Sequence, residues 1–197
     1  RITAQYSREQ PFVVLCGMGN NGGDGLAITR MLHRNGYGVK AFLVKYGREF
    51  SGDCHINLQR LQAVGDGLVS LMEPGTFITD IPPHIVIIDA ILGTGLNRQP
   101  EGWLAALIGQ VNELPNPKIA IDMPSGLSAD SIPDHEIIAI RAEQTFSFQF
   151  YKRAFLHPET GVFAGAVHIM DIDLNRTFIE STHTSYYITE RQQIAQL

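Results

Sequence analysis

Phe12-Val-Val-Leu-Cys16, followed at once by Gly17-Met-Gly-Asn-Asn-Gly-Gly-Asp-Gly25, is the stretch that decides the fold. Five apolar residues ending in glycines suit a strand buried on both faces, and such strands belong to parallel sheets. The spacing predicts a helix from Asp24 to Asn35, with Leu26, Ile28, Met31 and Leu32 apolar and Gly36 free to take the left-handed stop. Val39 to Val44 then reads as a strand, and Ser51 opens a second helical pattern through Ile56, Leu58, Leu61 and Val64, closed by Gly65. Leu68 to Leu71 forms a short strand, and Ile85 to Asp89 is a buried strand with an acid at its end. From Glu101 to Glu113, Leu104, Leu107, Ile108 and Val111 share a helical face until Pro115 blocks continuation before the strand Lys118 to Asp122. Thr145 to Phe150 places Phe146, Phe148 and Phe150 on one side of a further strand, and Ala166 to Met170 is the last. Strand and helix alternate throughout. That predicts a three-layer α/β/α, doubly wound, mostly parallel sheet with ligands beyond the carboxyl ends of its strands.

Composition agrees with a single domain. The 197 residues carry 15 Lys and Arg against 20 Asp and Glu, a net charge of −5, with 44% hydrophobic and 18% charged residues. These values exclude a disordered or coiled-coil chain, and no apolar run is long enough to span a bilayer. Without a basic stripe, a negative surface is ill suited to nucleic acid. Cys16 and Cys54 are too few for a disulfide framework, which favours a reducing, cytoplasmic setting. The seven histidines are scattered with no paired spacing, so they do not form a transition-metal site. The domain is expected over residues 1–180, with 181–197 as a tail or linker in which Thr189 caps a new helix.

Three strand ends carry chemistry. Gly17 to Gly22 satisfies G-x-G-x-x-G between strand and helix, a geometry that brings backbone close to a pyrophosphate. The next strand, however, ends in Lys45 and Tyr46 and lacks the acid that holds an adenine ribose in dinucleotide-dependent dehydrogenases. Asn20, Asn21 and Asp24 among glycines are unusual for a plain turn, although Asp24 as a simple helix cap is the competing reading. In the second loop Asp89 precedes Gly93-Thr-Gly-Leu-Asn-Arg98, whose amides and guanidinium suit phosphate oxygens. In the third, Asp122-Met-Pro-Ser-Gly126 sets a carboxylate before a rigid turn and a hydroxyl. Two acids at strand ends facing one crevice point to function.

In order along the chain, Val13 to Gly25, Asp89-Ala-Ile-Leu-Gly-Thr-Gly-Leu96 and Ile121-Asp-Met-Pro-Ser-Gly-Leu127 resemble the signatures of the NAD(P)HX epimerase family, the YjeF N-terminal domain. The resemblance runs from about Val13 to Asp173. It implies a Rossmann-like isomerase of nicotinamide-nucleotide repair that interconverts the R and S forms of hydrated NADH or NADPH, with the nucleotide as substrate. Carried over, Asn20, Asn21, Gly22, Gly23, Asp24, Gly93, Thr94, Gly95, Leu96, Asn97, Arg98 and Gln99 contact that substrate. Asn21, Asp89 and Ser125 supply oxygens to a potassium ion, and Asp122 reaches the reacting ring.

Asp122 is then the expected acid–base catalyst, by loss and return of water at C6 or by opening the ring at the C6–N bond. Met18, Met123 and the Asp171-Ile-Asp173 segment depart from the usual family residues, and Lys152 corresponds loosely to a family lysine. The resemblance also suggests a homodimer, and a tail leading to a fused dehydratase domain. Two rivals remain, a non-catalytic Rossmann-like nucleotide or protein binding module and a nicotinamide-dependent oxidoreductase. The presence of Asn21, Asp24, Asp89, Asp122 and Ser125 argues against the first, and the missing ribose-binding acid against the second.

Overall fold

The computed structural model describes residues 1–197 except 79, 97, 132–135 and 190–197. Its centre is a seven-stranded sheet in the order β3-β2-β1-β4-β5-β6-β7, with every neighbouring pair parallel. The strands are β1 (Phe12–Cys16), β2 (Val39–Val44), β3 (Val69–Met72), β4 (Val86–Ala90), β5 (Lys118–Ile121), β6 (Gln144–Phe148) and β7 (Ala166–Met170). After a short α1 (Ile2–Gln5), the principal helices are α2 (Asn20–Arg34), α3 (Gly52–Gln62) and α4 (Gly102–Glu113). Two short helices follow, α5 (Pro158–Gly161) and α6 (Arg176–Ser181).

β1 shows why the sheet has three layers. All five of its residues are buried, and they alternate between two cores. Phe12, Val14 and Cys16 pack with Leu26 and Leu32 of α2 and Leu61 of α3, whereas Val13 and Leu15 pack with Leu104, Leu107, Ile108 and Val111 of α4. Successive strand residues point to opposite faces, so a continuous apolar run needs a helix layer on each side. The chain winds outward from β1 through β2 and β3, then returns to β4 on the other side of β1. The resulting switch point between β1 and β4 opens a crevice between diverging connections.

The expected α/β architecture is present, with local differences. Helix α2 begins at Asn20, not Asp24, so the Asn-Asn-Gly-Gly segment is the first turn of the helix. Gly19 is its N-cap, which also excludes Asp24 as the cap. Ser51 does cap α3, its side chain accepting from the Cys54 N–H. Strand β6 stops at Phe148, because Gln149 takes φ 61° and the Phe150 N–H turns back to the Phe148 carbonyl. Phe150 thus leaves the strand face on which it was expected. Not every crossover is helical: residues 73–85 join β3 to β4 without a helix among the described residues. The tail helix expected from Thr189 falls largely on 190–197, outside the described residues.

Candidate functional site

Beyond the carboxyl ends of β1 to β6 lies a cleft of about 950 Å³. Asn20, Asn21 and Asp24 enter it from α2, Ile91 to Leu96 and Arg98 to Pro100 from the connection after β4, and Asp122 and Phe148 from the ends of β5 and β6. Tyr46, Pro74, Trp103 and Leu104 complete the opposite end.

Asn21 holds the first two loops together. Its amide Nδ2 donates to the Leu92 carbonyl at 2.9 Å and to the Ile121 carbonyl at 3.1 Å, joining the connections after β4 and β5. Two carbonyl partners fix which way the amide faces, since its oxygen would be repelled there. Its Oδ1 is buried with no hydrogen-bond partner. An orphaned buried acceptor costs about 1–3 kcal/mol, so this one calls for a hydrogen-bond donor or a cation.

Asp89 and Ser125 lie beneath the cleft, both fully buried. The Ser125 hydroxyl donates to Asp89 Oδ1 at 2.5 Å, the Ser125 N–H donates to Asp89 Oδ2 at 2.7 Å, and the Ile91 N–H donates to Oδ1 at 3.2 Å. The Leu92 N–H in turn donates to Ser125 Oγ at 2.8 Å. Burial nevertheless outweighs these donors and raises the Asp89 pKa to about 6. One carboxylate with amide, hydroxyl and carbonyl oxygens is a hard-cation donor set. Among the described residues no group of three or more His, Cys, Asp or Glu could hold a metal ion.

Asp122 stands where β5 ends, in the left-handed region at φ 62°. Such a conformation is uncommon for a residue with a side chain and is found at sites that fix a functional group. The Asp122 N–H donates to the Phe146 carbonyl at 2.9 Å, which anchors the turn to β6. Its Oδ1 receives the Phe148 N–H at 3.3 Å and the Lys152 ammonium at 3.2 Å. Oδ2 faces Gly93, where an added Cβ would lie 3.5 Å from it and 3.1 Å from the Asn21 Cβ. A side chain at 93 would therefore crowd Asn21 first and meet the carboxylate only at ordinary contact distance. Asp24 shares this space. Burial first, then the charges of Asp122 and Asp53, lift its pKa to about 6.

The expected site residues separate into groups. Asn20, Asn21, Asp24, Gly93, Thr94, Gly95, Leu96, Arg98, Gln99 and Asp122 line one cleft, while Asn97 lies outside the described residues. Gly22 and Gly23 do not line it. A Cβ on Gly22 would fall 1.9 Å from the Gly17 carbonyl oxygen, and one on Gly23 3.1 Å from the Cys54 backbone, so these glycines serve close packing. Gln99 spends its amide on the backbone, donating to Gly126 O at 3.3 Å and accepting from Ile138 N–H at 3.2 Å, and so pins its loop. Pro74, Trp103 and Phe148 were not singled out as site residues. They belong to different strand ends or to the first turn of a helix, and no local motif joins them.

The YjeF-related protein N-terminus family model matches residues 1–154. The NAD(P)H-hydrate epimerase of Oenococcus oeni is 33% identical over 82% of this chain and 74% of its own length. That of Limosilactobacillus fermentum is 32% identical, over 86% of this chain and 78% of its own. The bifunctional NAD(P)H-hydrate repair enzyme Nnr of Moorella thermoacetica is 32% identical over 87% of this chain, which spans only 33% of that longer protein. Among solved structures, yeast ynu0 (YNL200c) superposes with a TM-score of 0.67 at 18% identity, covering 94% of this chain and 76% of that one. That likeness concerns the fold.

Proposed function

This chain belongs to the YjeF-related N-terminal family, and from that membership we propose that it is an NAD(P)H-hydrate epimerase interconverting the R and S forms of hydrated NADH and NADPH. The observation that carries the mechanism is Asp122, buried in the lining of the cleft while Lys152 and the Phe148 N–H hold its Oδ1. In this reading Asp122 is the general acid: a proton passes from its carboxyl to the C6 hydroxyl of the hydrated ring, and the C6–O bond breaks with release of water. The lone pair of the ring nitrogen then forms the iminium. Water adds to the opposite face and returns its proton to the carboxylate, which closes the cycle with configuration inverted at C6.

The substrate's negative charge is met by the amino terminus of α2, the amides of residues 93–96 and the Arg98 guanidinium. A potassium ion suits Asn21, Asp89 and Ser125, because the orphaned Asn21 Oδ1 and the buried Asp89 both lack a compensating positive charge. When bound, it supplies fixed positive charge that orders the loops after β4 and β5. The reading brings with it a cytoplasmic location and a homodimer. A fused dehydratase domain is a further expected partner, in keeping with a bifunctional repair enzyme among the relatives. Among the described residues no helix is long and apolar enough to cross a membrane.

The test is the rate at which purified R and S NADPHX interconvert in potassium buffer, followed by chromatography against the spontaneous background. Wild type accelerates it, and Asp122→Asn loses about 10²–10⁴-fold with substrate binding retained. Full turnover by the variant would remove Asp122 from the chemistry. No acceleration by the wild-type chain would favour the binding-module reading.

A further inference from the structure

The cleft extends well past the reacting end. Asp122 follows β5, whereas Tyr46 follows β2 and Pro74 follows β3. Trp103, in the first turn of α4, reaches the same far end and donates its indole N–H to the Thr76 carbonyl at 2.9 Å. In the sheet order β3 is four strands from β5, and at about 4.8 Å per strand the two ends lie roughly 19 Å apart. That is the span of an extended dinucleotide. The ends also differ in chemistry: Asp122, Asp24 and the Asn21 amide lie towards β5, and Tyr46, Pro74, Trp103 and Leu104, with Glu101 beside them, form a mainly aromatic and apolar wall at the other end. Between them are the amino terminus of α2 and Arg98, the groups suited to phosphate.

Building on the epimerase reading, we propose that the β3 end is an adenine-nucleotide subsite in which the adenine ring lies against the Trp103 indole. The nicotinamide half then points to Asp122, and the pyrophosphate crosses the middle. The indole suits this role because it is half-buried and its N–H is tied to Thr76, so its face is held in place. Stacking of a base on an aromatic ring strengthens ground state and transition state alike, so Trp103 serves affinity and not the chemical step.

Trp103 is the single tryptophan of the chain, which makes its emission a direct reporter. ADP should quench it saturably, and nicotinamide mononucleotide, which carries only the other half, should leave it unchanged. Trp103→Leu should raise KM for NADHX about tenfold with kcat unchanged, and Trp103→Phe should restore most of the affinity. Quenching by the mononucleotide but not by ADP would reverse the polarity and overturn the proposal. So would a Trp103→Leu variant with lowered kcat at unchanged KM, or turnover by a wild type whose emission ignores ADP. Saturable quenching by ADP without any epimerisation would instead sink the epimerase reading and leave the adenine subsite standing.

Discussion

At the residue scale, the site depends on polar groups that burial leaves incompletely satisfied. Asp24 titrates at about 6 instead of 3.8, so the folded chain binds its proton more tightly than the unfolded chain. The sign follows: stability falls as pH rises from about 4 through about 6, and the penalty is complete above that window. Asp24→Asn should therefore be more stable than wild type at about pH 7.5, by about 1 kcal/mol once solvent screening of a half-exposed carboxyl is allowed for. At about pH 4 the two should unfold alike. Urea denaturation at both values tests this, and the same variant should bind substrate more weakly. The orphaned Asn21 Oδ1 and the buried Asp89 lead to a second expectation. Potassium should raise the melting temperature, by the mass action of a ligand that binds only the folded chain, and lithium should do less. Asp89→Asn should abolish the difference between the two cations in a thermal scan.

At the element scale, the first turn of α2 is where packing and binding meet. A helix opening with Asn-Asn-Gly-Gly is poor by propensity, yet it forms because the glycines let it approach Gly17 and the start of α3. Gly22→Ala would drive a Cβ to 1.9 Å from a backbone oxygen that no side-chain rotation relieves. The expected cost is at least about 2–3 kcal/mol, measured by equilibrium unfolding, with weakened substrate binding as the amides of α2 shift. The Asn20, Asn21 and Asp24 cluster legible in the sequence does line the cleft, but its helix begins one turn earlier than the spacing predicts. Glycines read as loop when the contacts that justify them within a helix, the Gly17 carbonyl for Gly22 and the Cys54 backbone for Gly23, lie outside it.

At the scale of the whole molecule, the sheet separates the two largest of the protein's hydrophobic cores, one on each face, with a smaller cluster around Met123 and Leu127 beside them. Leu26 under α2 and Leu107 under α4 are both fully buried, on opposite faces. Each replacement by Ala should cost about 2–5 kcal/mol, and the double variant should show the sum within about 0.5 kcal/mol. Unfolding in urea of the four chains of the cycle measures this. Marked non-additivity would mean that the layers communicate through the sheet. The cleft belongs to this scale too, since its lining comes from the ends of six strands and the start of α4.

The sequence by itself determined the parallel α/β class, the order of the strands along the chain and the three loaded strand ends. Burial on both faces leaves an unbroken apolar run, and glycines with acids mark where a run ends. It also carried the family resemblance, because those motifs are local. Only the tertiary structure decided that Asp122 is held by Lys152, that Asn21 joins two loops, and that Gly22 and Gly23 pack instead of lining the cleft. It alone brought Tyr46, Pro74 and Trp103 to one end of the cleft. Apart from Gly22 against Gly17, these relations join residues far apart in the chain, and sheet order and helix placement set such distances, whereas periodicity and spacing report only on near neighbours.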